Sequence, residues 1–534
     1  MMSYSRSIFL LLFAWFLLVL TALLVRPLLP VDETRYLTVA WEMWSRGDFL
    51  VPYLNGEAYS HKPPLLFWLF QLGWTIFGVN EWWPRLVAPL LALGCLFLTM
   101  RIFSVLWPQY RPLSPLAAWF LLGTGLWTLF LTLTQFDLLI VFATLLAMRA
   151  LLAMREHKRA WWLLGLALGL GLLSKGPVIL LHTLPVALLA PLWLDESVDR
   201  ARWYKGVGLA ILMGAAMVLL WAIPAAEAGG EVYKKAIFWG QTADRMVNSF
   251  AHRQPWWWYL PMLPLILLPW SLWPRLWQLA LRLRSRLWQD QGVRFLLYWL
   301  VPVFIAFSLI SGKQVKYLLP LFPAIALLAV RVLAQDEVTK RVRLWLPGIG
   351  LGLSGLLLLV LPFVVRPEWA DWLQQVSPLW GGLLLALAAL QMVLPAQNWQ
   401  RSVLFTALSS ILLAIVLHLS VINAGAMAYS LKKPAEIISL LQIQGHPVAN
   451  SGKYHGQFHF LGRLQQPLAV IAKGEGLSWI KANPSGYVVV YYRQWSDQLE
   501  AARYAQVYRS GALAIWSAQA VLEQPQRLDR TLGE

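Results

Sequence analysis

The stretch IFLLLFAWFLLVLTALLVRPLLPVDETRY, residues 8–36, sets an uncharged apolar run directly against a polar edge. Residues 8–25 reach the length that crosses a bilayer, about 17–25 residues. The run is long for the core of a signal peptide, and no small-x-small cleavage site follows, so it reads as a retained first span. Just beyond it stand Asp32 and Glu33. Two adjacent carboxylates at a membrane boundary are expensive in low dielectric and call for a reason. One reason is chemistry, as a general base or a partner for a cation. The other is local: a helix over 33–46 with Asp32 as its cap and Glu33 on its dipole. Spacing alone leaves both open.

Working outward, the pattern of residues 8–25 recurs. The chain has 534 residues, 59% hydrophobic and only 13% charged, against about 25% charged in soluble proteins. Apolar runs fall at 8–25, 83–106, 114–131, 134–153, 161–174, 177–194, 207–224, 257–274, 294–310, 317–334, 345–365, 379–395 and 402–422, thirteen candidate spans. The run 64–78 is short and led by proline, which suggests a re-entrant or interfacial segment. The expected fold is a polytopic α-helical membrane protein. Tryptophans such as Trp82, Trp83, Trp256, Trp257 and Trp258 stand at ends of apolar runs, as in interfacial belts.

The net charge of +18 would suggest nucleic acid in a soluble chain. Here the cations collect in short loops instead: Arg155, Lys158 and Arg159; Arg200, Arg202 and Lys205; Arg282, Arg284, Arg286 and Arg294; Lys340, Arg341 and Arg343. With thirteen spans these fall on one side, which the positive-inside rule makes cytoplasmic. The N-terminus is then expected in the cytoplasm and the C-terminal part outside. Cys95 is the single cysteine, so neither a disulfide framework nor a cysteine zinc site can form within the chain.

Two loops, 26–82 and 225–256, are long and face outward in this topology. After residue 425 the hydropathy falls, and alternating runs such as Tyr487–Tyr492 follow a helical stretch at 434–443. The expected division is a membrane domain over 1–425 and a small outward α/β domain over 426–534. Within the first loop, Gly47 reads as a helix stop, Asp48 as a turn residue and Asn55-Gly56 as a tight turn. Lys62, just before an apolar run, suits either a lipid phosphate or snorkelling. Asp137 lies beside the membrane and reads as functional, while Lys175 is divided between phosphate contact and anchor. His182 and His418, inside apolar runs, read as hydrogen-bonded core residues; His455 and His459 read as surface or packing residues on a strand.

The ordered set Asp32-Glu33-Thr34-Arg35-Tyr36, Gly47-Asp48-Phe49, Asn55-Gly56, Tyr59, Lys62-Pro63-Pro64, Trp68 and Phe77-Gly78-Val79-Asn80-Glu81 resembles the first outer loop of the ArnT-like and protein O-mannosyltransferase-like glycosyltransferases of the GT-C class. Thr134 to Asp137, Ser174-Lys175-Gly176-Pro177, Phe238-Trp239 with Arg245, His252 before Pro255-Trp256-Trp257-Trp258, and Lys313, Lys316, Tyr317 and Pro320 extend the likeness along the membrane region. The resemblance implies an enzyme that takes a sugar from a polyprenyl (undecaprenyl) phosphate donor. It gives the sugar, with inversion, to an envelope acceptor: lipid A or lipopolysaccharide, another glycan, or protein. It implies Asp32 as the catalytic carboxylate; Asp137 is the second catalytic candidate, either orienting Lys62 or lining the donor cavity. Glu33, Arg35, Tyr59, Lys62, Arg245, Lys313 and Tyr317 are then expected around the substrates, the cations meeting charge on the leaving phosphate.

The likeness also has departures. His61 stands where relatives often carry an acidic residue before the lysine, and Gln241-Thr242 replaces a Glu-His pair. His61 and His252 are the residues left to bind a divalent metal such as zinc. The alternative reading is a transporter of polyprenyl phosphate or lipid-linked sugar. That reading calls for midplane charges and internally repeated, broken helices, neither of which the sequence displays.

Overall fold

In the computed structural model, the described residues are 3–157, 159–194, 198–240, 253–336, 342, 344–365, 371–472 and 474–529. The first helix, α1 (Tyr4–Val25), spans the apolar run, and α2 (Asp32–Arg46) follows after a short linker. A two-residue hairpin, β1 (Tyr53–Leu54) and β2 (Glu57–Ala58), leads to α3 (Leu65–Phe77) and α4 (Trp82–Leu106). Then come α5 (Ser114–Leu122), α6 (Gly125–Phe130), α7 (Asp137–Met154), α8 (Trp161–Lys175), α9 (Val178–Leu188) and α10 (Arg200–Ala228). Further membrane helices cover Gln291–Leu309, Phe322–Leu333, Trp345–Val364, Leu379–Val393 and Trp399–Leu417.

Among the described residues, eight helices are long and apolar enough to cross a membrane, and four shorter apolar helices accompany them. All thirteen expected runs contain helix, but several are interrupted. The run 114–131 breaks at Gly123-Thr124, where α5 ends and α6 begins. A Cβ at Gly123 would lie 2.5 Å from the Ala407 backbone, so the helices there touch main chain to main chain. The run 257–274 contains Tyr259–Ile266, with Pro264 inside it, and a 3₁₀ turn at Trp270–Leu272 that follows Pro269. The segment 64–78 forms α3, whose 13 residues are too few to span.

The apolar exterior of the bundle is what lipid solvates. The α7 window is 78% buried and lies at the centre, whereas the α10 and Trp345–Val364 windows are 28% buried and lie outside. Polar residues gather at one end of the helices: the C-terminal ends of α1 and α8 and the N-terminal end of α7. The basic residues Arg155, Arg159, Arg200 and Arg294 gather at the other.

Residues 432–529 build the α/β unit. The helix Lys432–Ile443 precedes β3 (Val448–Ser451), and β4 (Ala469–Ile471), β5 (Tyr487–Tyr492), β6 (Tyr504–Tyr508) and β7 (Gly511–Ser517) complete a sheet of order β4-β3-β5-β7-β6. β3 pairs in parallel with β4 and β5, and β7 pairs antiparallel with β5 and β6. β5 matches the predicted run 487–492, because a strand buried on both faces reads as continuous Val and Tyr.

This unit is docked on α2, the hairpin and α3. Asn55 exchanges two hydrogen bonds with the Leu468 backbone, at 3.0 and 2.9 Å. The Trp41 indole donates to the Leu464 carbonyl at 3.0 Å, and Trp74 stacks on Phe460 at 5.4 Å between centroids. Thr38 donates to the carbonyl of Gly456.

Candidate active site

The site is built on α2. Its amphipathic sequence buries Tyr36, Leu37, Val39, Ala40 and Met43, and Gly47 closes it in the left-handed conformation at φ 67°. Asp48 is a turn residue, accepting from the amides of Leu50 and Val51 at 2.9 and 3.1 Å. Asn55 (φ 55°) and Gly56 (φ 85°) turn the hairpin, as their pairing predicts. Their two amides donate to the Glu42 carboxylate, at 2.5 and 2.9 Å.

The local explanation of Asp32 fails. The cap position of α2 is Val31, and no side chain caps it. The Asp32 carboxylate instead pairs with Arg35 and lies 3.8 Å from the Lys316 ammonium, while its side chain remains 35% exposed. Lys316 also reaches the Gln135 amide oxygen at 3.3 Å.

Glu33 points the other way. It is buried, paired with Arg26 through both guanidinium nitrogens, and accepts from the amides of Leu29 (2.7 Å) and Thr134 (2.6 Å). Arg26 also donates to the Thr132 carbonyl at 2.6 Å. Burial alone would raise the Glu33 pKa, but the Arg26 charge and these hydrogen bonds outweigh it and hold the carboxyl below its ordinary value. With its oxygens so engaged, Glu33 is a structural pin rather than the substrate-binding residue expected from the sequence.

Asp137 is also buried, and its carboxylate takes a 2.6 Å contact from Lys175. The sequence reading offered Lys62 as the partner; the first turn of α7 and the last turn of α8 bring Lys175 instead. The Lys175 ammonium lies 5.7 Å from the Tyr317 ring centroid, and Lys62 lies 5.8 Å from that of Phe136. Phe136 takes Tyr36 and Phe67 edge-on at 5.0 and 5.6 Å, so it is an apolar floor between Lys62 and α2. Tyr59 stacks on His61 at 5.2 Å. Lys313 is turned inward, donating to the carbonyls of Gln254 (3.0 Å) and Ile310 (2.5 Å); of the two lysines in that segment, Lys316 is the one at Asp32. Arg245 and His252 lie outside the described residues.

Among the described residues, no three His, Cys, Asp or Glu side chains converge on one point. His61 stacks on Tyr59, and the second expected ligand, His252, lies outside the described residues. Of the histidines in apolar runs, His418 bonds the Ala414 carbonyl at 2.8 Å and His182 stacks on Phe307 at 4.8 Å. His455 and His459 are not on a strand as expected. His459 opens a short helix, and His455 lies in the loop after β3. Arg26 carried no signal in the sequence, because part of its setting comes from the Thr132 carbonyl, far along the chain.

Comparison with known proteins agrees with this layout. Residues 61–221 match the family model of dolichyl-phosphate-mannose-protein mannosyltransferases. An undecaprenyl phosphate-α-4-amino-4-deoxy-L-arabinose arabinosyl transferase of Pseudomonas paraeruginosa is 33% identical over 62% of this chain and 60% of its own length. The protein of that name from Pectobacterium atrosepticum is 31% identical over 67% of this chain and 65% of its own. The matches thus span less than two thirds of those relatives. In fold, the crystal structure of ArnT from Cupriavidus metallidurans bound to undecaprenyl phosphate superposes with a TM-score of 0.69 at 19% identity, covering 95% of this chain and 97% of that one. The Archaeoglobus fulgidus oligosaccharyltransferase gives 0.50 at 12% identity, over 90% and 69%. The chain is therefore similar, in sequence over part of its length and in fold over nearly all of it, to the ArnT-like family of GT-C membrane glycosyltransferases.

Proposed function

We propose that this chain transfers a sugar from a polyprenyl (undecaprenyl) phosphate carrier to an acceptor of the bacterial envelope, at the outer face of the inner membrane. The acceptor is lipid A or lipopolysaccharide, another glycan, or protein. One observation carries the reading: Asp32 serves no helix cap and stands partly open at the mouth of the bundle, held by Arg35 beside Lys316.

In this reaction an acceptor oxygen attacks the anomeric carbon as the bond from that carbon to the carrier phosphate breaks. The configuration inverts, and the carrier leaves as polyprenyl phosphate. Asp32 orients the acceptor and takes the proton of a hydroxyl. Lys62, Lys316 and Lys175, with Arg245, are the cations for the negative charge that grows on the phosphate, and Tyr317 is a hydrogen-bond donor to it. Asp137 fixes the Lys175 ammonium. Tyr59 and Arg35 line the acceptor side, and Lys313, held on two carbonyls, stiffens the segment that carries Lys316. Polar groups crowded at one end of the helices suit an enzyme open to one leaflet better than a transporter, which needs a site near the midplane. The basic loops at the opposite end favour an N-terminus in the cytoplasm and an α/β unit in the periplasm.

The test is Asp32→Asn expressed in a host lacking the chain. Mass spectrometry of envelope lipids, glycans and proteins should show one sugar-bearing class restored by the wild type. Asp32→Asn should lose it by roughly 10²-fold or more, with undecaprenyl phosphate still bound. Full product from Asp32→Asn removes the assignment.

A further inference from the structure

We propose that His455, brought to the site by the C-terminal α/β unit, positions the acceptor beside Asp32. The inference rests on the transferase reading above and adds a residue from outside the membrane domain.

The placement follows from how α2 is sandwiched. On one side Tyr36 meets Phe136 of the bundle, where Lys62 and Lys175 also lie. On the other, Thr38 donates to the carbonyl of Gly456, and the Phe460 amide donates back to the Thr38 hydroxyl at 3.2 Å. Gly456 has φ +75°, and a Cβ there would come within 2.6 Å of Leu54 and 2.8 Å of Thr38. The loop is therefore pressed on α2 by its backbone, and its register is fixed. The residue just before that contact is His455.

The loop is also braced from behind. The His455 amide donates to the Gln457 side chain at 2.9 Å. Gln457 donates to the Tyr491 hydroxyl at 2.7 Å, which donates to Asn450 at 3.0 Å. The charges acting on the imidazole are Arg35, Lys453 and Asp32. Burial first, then the two cations, keep it below its ordinary pKa against the opposing pull of Asp32. A neutral imidazole both donates and accepts a hydrogen bond. Among the described residues none forms a hydrogen bond to that ring. A partly buried ring on a braced loop, beside the backbone contact with Thr38 and within electrostatic reach of Asp32 and Arg35, suits an oxygen nucleophile arriving from the aqueous side. The donor's lipid chain belongs to the bundle side.

The experiment complements a host lacking the chain with wild type, Asp32→Asn, His455→Ala, His455→Asn and His455→Gln, each checked for membrane abundance and thermal unfolding. Envelope product is read by mass spectrometry. Undecaprenyl phosphate binding is read on each purified full-length variant. His455→Ala should lower product at least tenfold with undecaprenyl phosphate affinity within twofold of wild type, and Asn or Gln should recover a third or more. Product within twofold of wild type overturns the proposal. So does a matching loss of undecaprenyl phosphate binding, which would put His455 on the donor, or failure of both amides to rescue, which would make it a packing residue. Activity in Asp32→Asn sinks the transferase assignment of Asp32 instead, and is read independently of the His455 variants.

Discussion

Replacing Glu33 by glutamine tests whether the neighbour of Asp32 is a pin or a ligand. The side chain is nearly isosteric, but the charge opposing Arg26 disappears in a site where both side chains are 2% exposed. Removing one partner of a buried pair costs about 3–5 kcal/mol, since the other charge is left uncompensated. The amides of Leu29 and Thr134 lose a charged acceptor as well, so the loss should lie in the upper part of that range. Because Asp32 is the next residue, a displacement of about 1 Å there should lower transfer on the order of 10²-fold. Arg26→Met combined with Glu33→Gln should recover part of the stability, because the stranded guanidinium is gone; the Thr132 carbonyl, left without its donor, keeps the recovery incomplete. The sign with pH follows from a lowered folded pKa. The contribution is full above the ordinary value of 4.5 and is lost as pH falls through the folded pKa; Glu33→Gln should remove that acid-sensitive part. Denaturant unfolding in detergent and a transfer assay measure both effects. A Glu33→Gln protein within about 1 kcal/mol of wild type and fully active would refute the pin.

Two further outcomes are expected. Asp137→Asn leaves Lys175 without its counter-charge and should weaken undecaprenyl phosphate binding and turnover together, whereas Lys175→Met with Asp137→Asn should regain stability but not turnover; binding and unfolding measured side by side separate the two. His459 is buried, 2.7 Å from the Tyr454 hydroxyl and 4.0 Å from Glu42, and burial first, then Arg46, against a backbone bond at Gln466, lower its pKa to about 4. The lowered value makes its contribution complete above 6.5 and lost as pH falls toward 4, about 3 kcal/mol in all. Hydrogen-exchange protection across residues 456–468, corrected for the intrinsic pH dependence of exchange, should fall over that range and stay level in His459→Gln; unchanged protection between pH 7 and 4 would exclude the effect.

The membrane fold was legible because spans are written locally, as length and absence of charge. Their interruptions were less so: the break at Gly123-Thr124 lies against Ala407, far along the chain. The α/β unit was visible through β5, whose Val-Tyr run tolerates no other reading. In the site, Asp32, Lys62 and Asp137 stood out as charges at the membrane edge. Their partners did not, since Arg26 with Glu33, Lys175 with Asp137 and Lys316 with Asp32 join positions far apart in the chain or chosen by side-chain direction. Local reasoning even gave Asp32 a cap to make, and the helix starts without it.

The pin around Arg26 also bears on how the protein is made. Glu33 leaves the ribosome early, yet its partners include the amide of Thr134 and, through Arg26, the carbonyl of Thr132. Thr38, on the same helix, waits longer still for Gly456. The loop after α1 is thus among the last to be set, and it must persist unlocked while the helices behind it insert. A lesion in the α/β unit would therefore leave a chain whose helices are inserted but whose α2 is not yet held in place.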